Sequence, residues 1–525
     1  MQLRAVIASA VLVAGALVTM SGTAQAATTT RYEAESSPAT CAGTVDSDWA
    51  GYSGSGFCNG TNAVGGVVQF TVNAPAAGTA TLKVRFGNGT TTARPATLTV
   101  NGSAASAVSF ESTGAWATWV TKTLTVPVNA GSNTVRFTPT TAAGLPNIDY
   151  LDVEVADTTT PPPTGSALYV APGGSDGAAG TQSAPTTLTS AISRVTPGGT
   201  IYLRGGTYSY AQTVTIPDGK NGTSSARTTL SAYPGETPVL NFAAQAEDPA
   251  NRGLALNGSY WRINGIVVER AGDNGIFVSG SNNVIERTVT RFNRDSGLQI
   301  SRVSSSTPSS QWPANNLVLS SESHDNADAT GENADGFAAK LTVGTGNVFR
   351  YTVSHNNIDD GWDLYTKTDT GPIGPVTIED SLSYNNGTLS NGTVNANGDR
   401  NGYKLGGEDI PVNHVVRRSI AYNNGHHGFT YNSNPGTMTV SNNVSIDNAE
   451  RNFSFDKGTS VYRNNTSCRS GSGSNDKTVG DADSSNQFWA GTNGSRCSSY
   501  TGALKWSFAA DGHLVVTFGG AVVTP

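Results

Sequence analysis

Five side chains in this sequence have the types and spacing to do chemistry together: Asp335, Asp359, Asp360, Asp363 and Lys404. They lie in or beside three copies of one pattern, X-Gly-apolar-X-apolar: Asp335-Gly-Phe-Ala-Ala339, Asp360-Gly-Trp-Asp-Leu364 and Asn401-Gly-Tyr-Lys-Leu405. Four carboxylates drawn together repel one another and destabilise the fold unless a cation joins them. Several carboxylates with oxygen-only donors and a flexible loop favour a hard cation, Ca2+. The plainer alternative is a solvated acidic face with an accidental lysine, because ion-pair networks can imitate such a site.

The elements that must position these residues come from a repeat. The pattern recurs at Asn274-Gly-Ile-Phe-Val278, Ser296-Gly-Leu-Gln-Ile300 and His427-Gly-Phe-Thr-Tyr431, and Arg451-Asn-Phe-Ser-Phe455 continues it without the glycine. Successive glycines (275, 297, 336, 361, 402 and 428) are 22, 39, 25, 41 and 26 residues apart. The long spacings are one repeat plus an insertion of about 15 residues. A β-rich period in the twenties indicates a solenoid. With helix-friendly stretches nearly absent, it reads as a right-handed parallel β-helix. A second strand per coil appears at Asn283-Val-Ile-Glu286, Asn316-Leu-Val-Leu319 and Asn347-Val-Phe-Arg350. Asn293, Asn357, Asn424 and Asn448 each stand four residues before the glycine column and can form a polar ladder between coils. The coils begin near Ala167-Leu-Tyr-Val170, and 191–195 reads as a short helix covering the open end.

Counting from the glycine, positions +1 and +3 are apolar and point inward. Position +2 (Phe277, Gln299, Ala338, Asp363, Lys404, Thr430, Ser454) therefore points outward. Coils stack at about 4.8 Å. Asp335 and Asp360 are thus neighbours, as are Asp363 and Lys404. Both insertions fall just before site coils, where loops on a rigid solenoid build a groove.

The rest of the chain agrees with an extracellular β protein. Its 525 residues include 61 Gly and 23 Pro, only 14% are charged, and the net charge is −7. Acidic residues outnumber basic ones and no basic run occurs, so a nucleic-acid partner is not expected. Residues 1–26 read as a secretory signal: Arg4, an apolar run from Ala5 to Val18, and Ala24-Gln25-Ala26 as a cleavage site. That run is short for a membrane span. A secreted monomer without membrane association is expected. Cys41, Cys58, Cys468 and Cys497 permit disulfides there, with local pairing the economical choice, although spacing alone does not fix connectivity.

The stretch 158–166 is a Thr/Pro linker between residues 27–157 and 167–525. The first piece alternates as short strands, such as Val67-Val-Gln-Phe-Thr-Val72 and Thr134-Val-Arg-Phe137, which indicates a β-sandwich of jelly-roll type. Its Tyr32-Glu-Ala-Glu35, Gly114-Ala-Trp-Ala-Thr-Trp119 and Asn147-Ile-Asp-Tyr-Leu-Asp-Val153 resemble a carbohydrate-binding module of family 35. The resemblance implies a structural Ca2+ at Glu33 and Glu35 with Asp152 as a third ligand. It also implies a site for a uronic-acid-containing carbohydrate using Asn147, with Tyr52 and Trp116 as aromatic platforms.

The second piece carries a further resemblance. Glu332-Asn-Ala-Asp-Gly-Phe-Ala-Ala-Lys-Leu341, Asn357-Ile-Asp-Asp-Gly-Trp-Asp-Leu-Tyr365, Gly371-Pro-Ile-Gly374 and Asn401-Gly-Tyr-Lys-Leu-Gly-Gly407 are similar to polysaccharide lyase family 9. The resemblance implies an all-β catalytic domain, a parallel β-helix, that cleaves plant cell-wall pectin (polygalacturonate) by β-elimination. In this sequence the Ca2+ ligands correspond to Asp335, Asp359, Asp360 and Asp363, and the base to Lys404. Lys340 and Arg400 lie close by and are expected to bind uronate carboxylates. Three alternatives remain: a lyase on a related uronate polymer such as rhamnogalacturonan, a metal-free hydrolase with carboxylates about 5–9.5 Å apart, and a non-catalytic pectin-binding protein.

Overall fold

The computed structural model describes residues 29–74, 78–129, 131–155 and 167–523. The signal segment (1–26) and the linker (158–166) lie outside these residues. The chain divides into two compact units, Met1–Thr159 and Thr160–Pro525.

In the first unit, antiparallel strands form one six-stranded and one five-stranded sheet. Alternation decides which side chains are inside. Along Arg94–Val100 every second residue is buried, as it is along Val68–Ala74. Phe86, Phe110 and Phe137 meet edge-on in the core, with centroids 4.9 and 5.8 Å apart. Each such ring contributes roughly 1.5–3 kcal/mol on burial. A disulfide joins Cys41 to Cys58.

In the second unit the repeat becomes coils of a parallel β-helix. Strands mostly two to four residues long stack across coils, mostly in register, into a 20-stranded and a 10-stranded parallel sheet. Leu254–Leu256 pairs with Ile276–Val278, then Leu298–Ile300, Phe337–Ala339, Trp362–Asp363, Tyr403–Lys404 and Phe429–Thr430. The inward column here is aromatic: Phe337, Trp362, Tyr403, Phe429 and Phe453 stack with centroids 4.6–5.1 Å apart. All five are buried.

Corners between strands are turned by single residues with positive φ, among them Tyr351, Asn356, Asp380 and Asn385. Such a residue swings the following N–H out of the strand ladder, and a buried donor must find a partner. Side chains from the next coil supply it. The Asn357 N–H donates to Asn386 Oδ1 at 3.2 Å, and the Asn386 N–H to Asn424 Oδ1 at 3.1 Å. Asn326 and Asn386 belong to this ladder although the insertions separate them from their glycines. A second ladder runs through Asn283, Asn316 and Asn347, and His414 takes an equivalent place two coils on, its Nδ1 accepting the Val376 N–H at 3.1 Å.

The covering helix spans Leu188–Arg194, beginning earlier than expected because Thr187 caps it by accepting the Ser190 N–H. Leu188, Ala191 and Ile192 are its buried face. After the Cys468–Cys497 disulfide, the strands Leu504–Phe508, Leu514–Phe518 and Ala521–Val523 form an antiparallel sheet that folds back on the outside of the 10-stranded sheet. Among the described residues no helix is long and apolar enough to cross a membrane.

Position +2 differs from expectation in one respect. It faces away from the core, yet Phe277, Ala338, Asp363, Lys404 and Thr430 are all buried. The inserted loops and neighbouring side chains roof this column.

Candidate active site

Asp363 and Lys404 are paired residues on adjacent strands, with Ala338 on the coil before. Asp335 and Asp360 occupy the position before the glycine on successive coils, and the Asp360 N–H donates to Asp335 Oδ1 at 3.3 Å. Asp359 enters from the preceding turn. Carboxylate oxygens of Asp335, Asp359 and Asp360 all lie within 4.8 Å of one another, and all three residues are buried.

The two insertions are tied together over these acids. Asn395 Nδ2 donates to Gly331 O at 2.5 Å and to Ile358 O at 2.7 Å, and Asn397 Nδ2 donates to Thr330 O at 3.0 Å. The Asp399 N–H reaches Asp359 Oδ1 at 2.6 Å, and the Asn401 N–H reaches Asp360 Oδ1 at 2.6 Å. The result is a cavity of about 360 Å³ whose walls include Glu332, Asp359, Asp363, Tyr365, Asp399 and Lys404.

Two ammonium groups sit among the carboxylates. Lys404 Nζ is 2.8 Å from Asp399, 3.2 Å from Asp360 and 3.9 Å from Asp363. Lys340 Nζ is 2.7 Å from Asp335 Oδ2 and 3.2 Å from Asp363 Oδ2. Burial pushes Asp335 up to about 6 despite the pull of Lys340. Burial and the charge of Asp335 push Asp359 up to about 7. Burial and Asp359 carry Asp360 well above the carboxylate range. For Lys404, burial favours the neutral amine, but Asp363, Asp360, Asp399 and Asp335 together outweigh it and raise its pKa. The site thus holds more negative charge than its two lysines balance.

That excess is the test of fit for a divalent cation. Asp363 Oδ1 is buried and makes no hydrogen bond, and Asp360 Oδ2 has only the ion-pair approach of Lys404, without hydrogen-bond geometry. Unspent buried carboxylate oxygens are costly. An all-oxygen donor set of clustered aspartates suits Ca2+, so the residues fit it.

Lys340 lines the cavity, as expected of a residue near the substrate, whereas Arg400 is placed away from it. Lys340 is nine-tenths buried and already paired, so it neutralises the acid cluster from within. Arg400 offers its backbone N–H to Asp359 at 3.3 Å, while its side chain lies against Gly387 and Gly425 instead of lining the cavity. Asp399, the carboxylate nearest Lys404, was not singled out from sequence. It stands in the inserted loop, outside the repeat register that located the others.

In the sandwich, Glu33 Oε1 accepts from Ser53 Oγ at 2.8 Å and Glu35 Oε1 from the Ser55 N–H at 2.9 Å. The second oxygen of each is buried without a partner. Asp152, the expected third ligand, is engaged by Arg31: both its oxygens accept from that guanidinium, at 2.7 and 2.8 Å. Trp116 lies over Gly89 with the Arg94 guanidinium 5.2 Å from its ring. Asn147 is buried and pairs with Gly87. Tyr52 packs on Phe57, with centroids 5.9 Å apart.

Comparison with known proteins agrees with this architecture. Residues 168–467 match the Pel9A-like right-handed β-helix region, and residues 33–155 match the family 6 carbohydrate-binding module. The chain is 56% identical over 324 residues to pectate lyase L of Paenibacillus polymyxa strain SC2, covering 61% of this chain and 72% of that protein. The crystal structure of pectate lyase Pel9A is 32% identical with TM-score 0.55, over 64% of this chain and 82% of that one. The CBM35 from Cellvibrio japonicus Abf62 is 39% identical over 24% of this chain and 94% of that one, with TM-score 0.24. The protein is therefore a β-helix polysaccharide lyase carrying a carbohydrate-binding module. Within that class, the chain belongs to the Pel9A-like family.

Proposed function

We propose that this protein is a secreted, calcium-dependent pectate lyase in which Lys404 is the base. The observation that carries the reading is the position of Lys404 Nζ, in the wall of the cavity and beside carboxylates with unspent buried oxygens. Asp335, Asp359, Asp360 and Asp363 would hold Ca2+. When bound, the cation supplies positive charge that engages a substrate carboxylate and weakens the carboxylates' hold on the Lys404 proton.

The chain's own residues do the rest. Neutral Lys404 accepts the C5 proton of a galacturonate ring. The electron pair from that C–H bond forms a C4–C5 double bond, and the C4–O glycosidic bond breaks, its oxygen taking a proton from a water that the Lys404 ammonium reprotonates, which restores the neutral amine. Asp399 and Asp360, at 2.8 and 3.2 Å, stabilise the resulting ammonium. The stacked rings of Trp362 and Tyr403 hold the backbone on which Asp363 and Lys404 stand. The sandwich, by its similarity to carbohydrate-binding modules, would keep the enzyme on uronic-acid-bearing cell-wall polymer.

The test is to mix the protein with polygalacturonate and follow the ultraviolet absorbance of an unsaturated product, with and without a chelator. Absorbance that rises only with calcium supports the reading. Polymer shortening without absorbance means hydrolysis, and turnover only on rhamnogalacturonan moves the substrate class; either result overturns it.

A further inference from the structure

The glycine column extends one coil beyond the sequence pattern, because the Leu254 N–H donates to Gly275 O as Ile276 does to Gly297. Arg252 therefore occupies the position held by Asn274, Ser296, Asp335 and Asp360 on later coils. Its guanidinium lies flat on Phe277, 3.4 Å from the ring centroid, which is why that outward phenylalanine is buried. Asp273 approaches Arg252 Nε to 3.5 Å, yet Nε is buried and makes no hydrogen bond.

Beside this guanidinium lies a second cavity of about 240 Å³, lined by Arg252, Phe277, Gln299, Ser301, Arg302 and Thr342 among others. Leu341 lines both this cavity and the catalytic one, so the two adjoin. Phe277, Gln299, Ala338, Asp363 and Lys404 mark four coil steps from one to the other. At strand spacing that is about 19 Å.

Resting on the pectate lyase reading, we infer that this cavity is a remote subsite for a uronate of the same polymer, with Arg252 taking its carboxylate. The chemistry is specific. An arginine fork matches a planar carboxylate with two parallel hydrogen bonds, and here it is held rigid by the ring beneath it. Among the described residues neither Arg252 nor Arg302 donates a side-chain hydrogen bond, and the competing carboxylate of Asp273 stays 3.5 Å from Arg252 Nε, whereas Lys340 is bonded to Asp335 and Asp363. An anionic chain approaching an acidic site gains from positive charge placed away from that site. At this distance only a substrate several rings long can reach both places.

The experiment compares Arg252→Gln, Arg252→Lys and wild type on polygalacturonate and on trigalacturonate, with calcium present. The expected result is a rise in KM on the polymer of about tenfold or more for Arg252→Gln, a smaller rise for Arg252→Lys, and no change for either variant on the trimer. Unchanged polymer kinetics in Arg252→Gln, or an equal loss on polymer and trimer, overturns the subsite while leaving the lyase reading in place. Absence of turnover by wild type on both substrates overturns the lyase reading, and the subsite with it.

Discussion

Lys340 Nζ lies 2.7 Å from Asp335 Oδ2, so one of the acids proposed to hold the cation is already neutralised by a buried ammonium five residues along the chain. The same nitrogen is 3.2 Å from Asp363. Lysine here tempers a repulsion that would otherwise set the cost of folding the site before any metal arrives.

Replacing it exposes that cost. Lys340→Met should lower the stability of the calcium-free protein by about 3–5 kcal/mol, the usual penalty for stranding a buried partner. Added calcium should restore much of it. Denaturant midpoints with chelator and with calcium check this, and equal midpoints for wild type and variant in chelator would contradict it.

Lys404→Ala should reduce turnover on polygalacturonate by at least about a hundredfold, the lower end of what a general base contributes. Calcium binding should persist, because the aspartates and the aromatic stack beneath them are untouched, while the calcium-free variant should lose stability as Lys340→Met does, since Asp360 and Asp399 lose their ammonium partner. A variant retaining wild-type rates would remove Lys404 from the mechanism.

Calcium itself should stabilise the β-helix. At a hundred times its dissociation constant the gain is about 2.7 kcal/mol. Asp360→Asn should abolish most of that gain, since it weakens the acid with a buried oxygen free of hydrogen bonds. Calorimetric titration of both proteins with CaCl2 gives the comparison. Identical affinity in the variant would place the metal elsewhere.

His414 predicts a pH effect unrelated to catalysis. Burial depresses its pKa from 6.5 to about 3, and Nδ1 must be unprotonated to accept the Val376 N–H. Between these values the unfolded imidazole carries a proton and the folded one does not, so stability falls with pH across that window and is complete above about 6.5. The loss amounts to a few kcal/mol at most. His414→Asn keeps an acceptor of the kind found at Asn283, Asn316 and Asn347 but cannot titrate. Its stability should decline less steeply than wild type from pH 6.5 to 4, measured by urea unfolding; parallel curves would refute this assignment.

The solenoid and the Asp363–Lys404 pairing could be read before any coordinates because both obey the repeat. A fixed period converts sequence position into a place on a face, and counting from glycine is enough. What escaped the reading sits outside that period. Asp399 comes from an insertion whose path is set by Asn395 and Asn397 bonding across to the other insertion, a contact without sequence periodicity. Asn326 and Asn386 are ladder members hidden by those same insertions. Lys340 was visible as a nearby charge, but its inward turn onto Asp335 depends on side-chain packing. Asp152 matched a motif position, and Arg31 on the neighbouring strand decides its bonding.

The C-terminal sheet has a mechanical meaning. A stack of coils in which each touches only its neighbours melts from its ends, one layer at a time. Here Arg287 and Ser320 bond Ala510 and Gly512, Tyr351 meets His513, Tyr384 accepts from Trp506, and Tyr422 packs on Phe518. One short segment thus splints five consecutive layers, three of which carry the acids and Lys404. A layer cannot peel away alone without tearing a brace shared with the other four. Fraying at the last coils is thereby kept from travelling inward to the groove, and the spacing between Asp335 and Lys404 is held by a part of the chain that touches neither.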